Sequence, residues 1–297
     1  MIGFMKKIIL VLGVALVVLV GAALVFALRP AAPTPFSGER AYEHVLAQAE
    51  IGPRHTGSPG GWDTGDYIIK SLKSSGWQVR TQEFDYKGVR ARNIVGTAGQ
   101  GPQIIVGAHY DTRKRADHDP VSPDAPVPGA NDGASGVAVL LELARTLDKA
   151  RLKNQVELAF FDAEDNGYLD GWGWIVGSSY FAQHMDTQPV VVIIVDMIGD
   201  ADQQVYWELN SNAEWNQRIW QVAASLGYQD YLIPEFKHSM LDDHTPFLAK
   251  GIPAVDMIDF DYPYWHTTAD TADKVSPASL EHIGRTLQVL LEEEDHR

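Results

Sequence analysis

Short apolar runs alternate with amphipathic stretches along most of this chain. The runs Asn93 to Gly96, Ile104 to Gly107, Val156 to Phe161, Val190 to Val195 and Ala254 to Ile258 read as strands, several of them apolar at almost every position. A strand apolar on both faces is one covered by helices on both sides, as in a parallel sheet. Between them, Ala134 to Leu147 places Val137, Leu140, Leu141, Ala144 and Leu147 on one stripe. Near the end, Leu280 to Leu291 repeats Leu280, Ile283, Leu287 and Leu290 behind Ser276-Pro277. These spacings predict helices, the second opened by an N-cap serine and a first-turn proline. Strands alternating with helices predict an α/β fold with a largely parallel sheet.

One segment departs from the alternation. Met5-Lys6-Lys7 leads into an uninterrupted apolar and glycine stretch, Ile8 to Leu28, closed by Arg29-Pro30. At ~1.5 Å per residue it spans a ~30 Å hydrocarbon layer and exceeds the roughly 7–15 residues of a signal-peptide core. The expectation is an uncleaved transmembrane anchor rather than a cleaved signal, although the small residues near Ala23 and Ala27 would suit cleavage. Lysines ahead of the helix keep residues 1–7 cytoplasmic by the positive-inside rule and put the remainder beyond the membrane. The chain thus reads as a single-pass membrane protein with an extracytoplasmic catalytic domain. Residues 29–37 form a Pro-rich spacer. From 38 to 297 no linker or internal repeat intervenes, which favours one domain. Residues 116–130, rich in Asp and Pro, read as a surface loop.

Charge and composition narrow the function. Of 297 residues, 24 are Lys or Arg against 39 Asp or Glu, a net charge of −15 that repels phosphate backbones and argues against nucleic acid as a partner. Cysteine is absent, so there is no disulfide framework, no Cys-based zinc finger and no thiol nucleophile. Neither Gly-x-Ser-x-Gly nor Gly-x-x-x-x-Gly-Lys-Ser/Thr occurs, which removes the usual serine hydrolase and nucleotide-binding readings.

Five islands of carboxylate and histidine remain: His109-Tyr110-Asp111, Asn131-Asp132, Glu164-Asp165, Asp196 and His266. Asp111, Glu164-Asp165 and Asp196 each follow an apolar run, at the carboxyl ends of strands where open α/β sheets bind ligands. Asp132 precedes a helix, and His266 lies in the loop before the last one. Zinc takes histidine nitrogen and carboxylate oxygen while keeping a position open for water or substrate, so the islands read as one hydrolytic zinc site.

In this order, Gly107-Ala108-His109-Tyr110-Asp111, Gly129-Ala130-Asn131-Asp132-Gly133, Phe160-Phe161-Asp162-Ala163-Glu164-Asp165, Val195-Asp196-Met197-Ile198-Gly199 and Trp265-His266-Thr267 resemble the zinc aminopeptidase and glutaminyl cyclase superfamily. The resemblance runs from about Gly52 to the C-terminus. It implies a three-layer α/β/α fold around a central mixed, mostly parallel sheet, as in zinc exopeptidases. It also implies that Asp132, Asp165 and His266 bind a catalytic zinc, with Glu164 as general base. Asp165 is one methylene shorter than the glutamate usual there. His109 and Asp196 resemble the pair that holds a second zinc in the aminopeptidases, so one zinc is expected and a second is possible. Asp111 would orient His109 from behind.

Four features lean towards the animal-type glutaminyl-peptide cyclotransferases, which convert N-terminal glutamine of peptides to pyroglutamate and release ammonia. They are Gly57-Ser58-Pro59-Gly60 after Gly52-Pro53-Arg54, the Trp172 and Trp174 segment, Asp242-Asp243-His244-Thr245-Pro246-Phe247, and Trp265 before His266. In that reading Asp242, Asp196 and Glu164 share protons, while Trp265, Trp172, Trp174 and Tyr262 wall the substrate pocket. Against it, Asn131-Asp132-Gly133-Ala134-Ser135-Gly136 is nearer the aminopeptidase wording, and Asp256 stands where the animal cyclases have histidine. The alternatives are a two-zinc aminopeptidase releasing N-terminal residues and a non-catalytic ectodomain of the same fold.

Overall fold

A computed structural model describes residues 35–293. The expected cytoplasmic residues 1–7 and anchor 8–28, with the first part of the spacer, lie outside the described residues. Among the described residues no helix is long and apolar enough to cross a membrane.

Helix α1 (Gly38–Ile51) starts at Ser37, whose hydroxyl accepts the Arg40 N–H. Helix α2 (Pro59–Ser74) starts at Ser58, which accepts the Gly61 N–H at 3.0 Å, with proline in the first turn. Strands β1 (Gln78–Tyr86) and β2 (Val89–Ala98) form a hairpin. Its two-residue turn, Lys87-Gly88, has φ of 52° and 78°, the left-handed pair that matches strand twist. Then come β3 (Gln103–His109), α3 (Ala134–Thr146), β4 (Gln155–Phe161), α4 (Val176–Gln183), β5 (Val191–Asp196), β6 (Val205–Trp207), α5 (Ala213–Ser225), β7 (Leu232–Phe236), α6 (Thr245–Ala249), β8 (Ala254–Ile258) and α7 (Pro277–Glu293).

The main sheet has the order β1-β2-β4-β3-β5-β8. Strands β4, β3, β5 and β8 are parallel, and the β1–β2 hairpin joins antiparallel at one edge. The sheet is therefore mixed, as expected. Alternate residues feed two cores: Ile104, Val106, Leu158, Phe160, Ile193 and Val195 face the side of α1, α3, α5 and α7. Ile105, Ala159, Phe161, Val192 and Ile194 face α4 and α6. This is the α/β/α layering the doubly apolar strands imply. Helix α3 lies directly on the end of β5, because a Cβ on Gly136 would stand 2.4 Å from the Val195 carbonyl. That contact sets the helix start, and with it Asp132, beside the strand that ends in Asp196.

Candidate metal centre

The carboxyl ends of β3, β4 and β5 supply most of the site. His109 ends β3 and Asp196 ends β5, with β3 lying between β4 and β5. Glu164 and Asp165 follow β4, Asp132 precedes α3, and His266 comes from the loop between β8 and α7. All are buried. His109 Nε2 stands 3.1 Å from Asp132 Oδ1 and 3.1 Å from Asp196 Oδ1. His266 Nε2 stands 2.9 Å from Asp165 Oδ1 and 3.7 Å from Asp132 Oδ2. Asp132 thus joins two groups, His109–Asp132–Asp196 and Asp132–Asp165–His266, each close enough to share one ion.

Backbone geometry is held tightly around these residues. Ala163, Met197 and His266 have φ of 62°, 46° and 57°, a left-handed conformation that costs a non-glycine residue on the order of 1 kcal/mol or more. Such strain persists where surrounding bonds over-determine it, and here they do. Asp111 accepts the Glu164 N–H at 3.0 Å and the Asp165 N–H at 3.2 Å, takes the Thr56 hydroxyl at 3.2 Å, and lies 3.7 Å from His109 Nδ1. Asn131 accepts the Gly199 N–H at 2.7 Å and donates to the Met197 carbonyl at 3.2 Å, stitching the entry of α3 to the turn after β5. Asp270 accepts the backbone N–H groups of Asn131 and Asp132 at 2.8 and 3.2 Å, and the Tyr262 hydroxyl at 2.7 Å. Gly133 is required beside them, since a Cβ there would meet His109 Nε2 at 2.6 Å.

The electrostatics are those of crowded acids. Burial, then Asp165, Asp242 and Asp243, raise the Glu164 carboxyl well above its usual range against the opposing pull of His109. Burial pushes Asp196 up to about 7, with Asp242 adding to it. Burial and Asp132 likewise raise Asp165. Asp132 goes the other way: burial alone would raise it, but its bond to His109 and the charge of His109 bring it down. Burial lowers His266 to about 3, so its ring is neutral and keeps one nitrogen lone pair for a ligand. Behind Asp242, His244 sits between Glu208, 3.3 Å from its Nε2, and Asp256, 3.7 Å from its Nδ1.

A cavity of about 220 Å³ opens over this group, lined on its apolar side by Trp174, Trp265, Tyr168, Met240, Leu241 and Phe260. Glu164, Asp196 and Asp242 meet there with Asp132, Asp165 and His266. Trp265 and Trp174 both stack on His266: their ring centroids lie 3.8 and 5.9 Å from the imidazole, at 29° and 12°.

Residues 93–291 match Peptidase family M28. The chain belongs to that family. It is 27% identical over 281 residues to a glutaminyl-peptide cyclotransferase-like protein of Bos taurus, covering 81% of this chain and 72% of that protein. A Bacteroides thetaiotaomicron glutaminyl cyclase solved with N-acetylhistamine superposes with a TM-score of 0.84 at 29% identity, over 89% of this chain and 100% of the other. A leucine aminopeptidase precursor from Bacteroides thetaiotaomicron VPI-5482 gives 0.84 and 29% as well, over 89% and 99%. The fold is thus shared with proteins described by both chemistries.

The donor set of this M28 chain suits zinc. Asp132 Oδ2 and both Asp165 oxygens are buried with no hydrogen-bond partner, and Asp165 Oδ1 and Asp132 Oδ2 face His266 Nε2. Buried carboxylate oxygens ordinarily find donors, so a shared cation is the physical account of three that do not. Two wall assignments change. Trp172 does not line the cavity; it packs edge-on against Tyr86 at 5.1 Å and lines a separate cavity with His55, Lys114 and Leu169. The 3₁₀ turn Leu169–Gly171, closed by the Tyr168 N–H donating to the Trp172 carbonyl, reverses the chain, so Tyr168 and Trp174 face the site and Trp172 faces away. Tyr262 stands behind Asp132 on Asp270 rather than along the wall. The Asp/Pro-rich stretch is not simply a surface loop, since Ala116, Asp119, Val127 and Ala130 are buried. Sequence reading missed Asp270, Tyr168, Met240, Leu241 and Phe260. Nothing in their local pattern marks them, as each acts through a contact made only in the folded chain.

Proposed function

We propose that the protein is a zinc-dependent glutaminyl-peptide cyclotransferase acting on peptide and protein N-termini. The observation that carries this reading is Asp242. It is buried in the cavity facing Glu164 and Asp196, giving three acids over a metal-capable group beneath tryptophan walls. Zinc on Asp132, Asp165 and His266 would polarise the γ-amide carbonyl of an N-terminal glutamine. Glu164, whose raised pKa makes its carboxylate the stronger acceptor, takes a proton as the α-amine forms the ring C–N bond. The same proton passes to the departing amide nitrogen as its bond to carbon breaks, leaving pyroglutamate and ammonia. Asp242 and Asp196 hold the charge of that transfer between them. Trp174 and Trp265 cover the glutamine and exclude water. The length and flanks of the segment 8–28 support anchoring in a membrane with this domain on the far side.

A second reading rests on the other triad. His109, Asp132 and Asp196 offer a place for a second ion sharing Asp132, as a two-metal aminopeptidase requires. A Gln-initiated and a Leu-initiated peptide offered to the zinc-loaded protein, with products weighed by mass spectrometry, separate the two. Loss of ammonia from an intact Gln peptide, with the Leu peptide untouched, supports the cyclase. Release of free amino acids, with two zincs per chain, replaces it by the aminopeptidase. Failure to turn over either peptide overturns both and leaves a non-catalytic ectodomain.

A further inference from the structure

The loop after β3 carries an ion pair that reaches the site from outside. The Arg113 guanidinium donates to both Asp117 oxygens, at 2.6 and 2.7 Å. The same group donates to the Asp165 carbonyl at 3.0 Å and the Gly167 carbonyl at 3.3 Å, and lies 4.9 Å under the Trp174 ring. Asp117 Oδ1 stands 3.8 Å from His266 Nδ1, a buried nitrogen with no hydrogen-bond partner. Past Asp117, the His118 N–H donates to the His266 carbonyl at 3.3 Å, and Asp119 accepts the Thr268 N–H at 3.0 Å and the Thr268 hydroxyl. The stretch 113–119 is therefore a strap laid over the segment that carries His266.

The geometry points to Asp117, fixed by Arg113, as the positioning residue for His266: its carboxylate, 3.8 Å from Nδ1, draws the protonated side of the ring electrostatically and so leaves Nε2 towards the metal position between Asp132 and Asp165. A neutral imidazole that offers Nε2 as ligand carries its proton on Nδ1, and metal-bound histidines commonly give that proton to a carboxylate. Arg113 extends the effect, because one guanidinium ties Asp117 to the backbone of Asp165 and supports Trp174. Asp117, His118 and His266 also lie close enough to hold an ion of their own. Both Asp117 oxygens are already committed to Arg113, so positioning is the role their geometry favours.

This inference rests on reading Asp132, Asp165 and His266 as a zinc site, and the test separates the two. Zinc affinity of the full-length protein is measured by competition with a chromogenic chelator, alongside thermal unfolding, for wild type, Asp117→Ala, Asp117→Asn and Asp119→Ala. The expected result is a zinc affinity lowered about tenfold or more by Asp117→Ala and less by Asp117→Asn, which keeps an acceptor oxygen. Asp119→Ala, which cuts the strap without touching His266, is expected to lower the unfolding temperature with affinity within about threefold of wild type. Equal affinity losses in Asp117→Ala and Asp119→Ala overturn the positioning role, as does unchanged affinity in Asp117→Ala. A fall in zinc stoichiometry without loss of affinity overturns it in favour of a separate ion site. Wild type that binds no zinc removes the metal site itself.

Discussion

Replacing Asp270 by asparagine tests how the metal centre is built, because Asp270 touches the ligand Asp132 only through backbone. Its two oxygens accept three hydrogen bonds, from the N–H groups of Asn131 and Asp132 and from the Tyr262 hydroxyl. Asparagine has one acceptor oxygen and an NH₂. With that oxygen towards Asn131, the NH₂ confronts the Asp132 N–H; turned over, it confronts the Asn131 N–H while the Tyr262 oxygen accepts from it. Either way one buried backbone donor is orphaned, at a cost of about 1–3 kcal/mol. At roughly 2–4 °C per kcal/mol for a domain of this size, the unfolding temperature falls by roughly 2–12 °C. Zinc affinity falls with it, because Asp132 is no longer held from behind. Burial and Asp132 push the Asp270 carboxyl up to about 7, so calorimetry and the zinc titration are run above that pH, where Asp270 is ionised. Tyr262→Phe, which removes only the hydroxyl bond, gives the smaller loss. Stability within about 0.5 kcal/mol of wild type, with unchanged zinc affinity, would refute the argument.

Glu164→Gln lowers turnover on Gln peptides by ~10²–10⁴-fold with zinc still bound; substantial residual activity removes it from the base role. Trp174→Ala raises KM for Gln peptides, while Trp172→Ala, on the far face of the loop, lowers the unfolding temperature and leaves KM unchanged; the reverse pattern would restore Trp172 to the wall. Gly133→Ala drives a methyl into His109, destabilising the protein by about 1–3 kcal/mol and weakening zinc binding, both read by calorimetry with and without the ion. The carboxyls of Asp162 and Asp259 are pushed by burial from 3.8 up to about 7. Folded values above unfolded ones mean stability present below the unfolded pKa and lost as pH rises through about 7. Urea unfolding therefore shows stability falling between about pH 4 and pH 7, and Asp162→Asn or Asp259→Asn flattens the slope.

What the sequence made legible follows from what each residue contacts. Strands β3, β4, β5 and β8 stand inside the sheet with both faces covered, so their apolar runs announce them. Strand β1 is the polar, largely exposed edge, Gln-Val-Arg-Thr-Gln-Glu-Phe-Asp-Tyr, and carries little periodic signal. Helix α1 buries only Gly38, Ala41, Val45 and Gln48, too thin a stripe to read. His109, Glu164-Asp165 and Asp196 were visible because strand ends put chemistry beside strong apolar runs. Trp172 and Trp174 looked equivalent because spacing alone does not disclose the 3₁₀ turn that parts them. Asp270 was invisible for another reason: it serves two N–H groups, and any backbone offers those.

The two triads draw on residues from His109 to His266, and only His109 and Asp196 lie on the sheet itself. The site is thus a long-range closure, formed only after β3, β4, β5 and the segment before α7 have met, late in any folding order that begins with local contacts. An ion held by Asp132, Asp165 and His266 would bind the finished chain and not its unfolded ensemble, adding stability that grows with free zinc. Zinc supply would then set how long a completed molecule survives as well as how fast it works, and partly assembled chains would gain nothing from it.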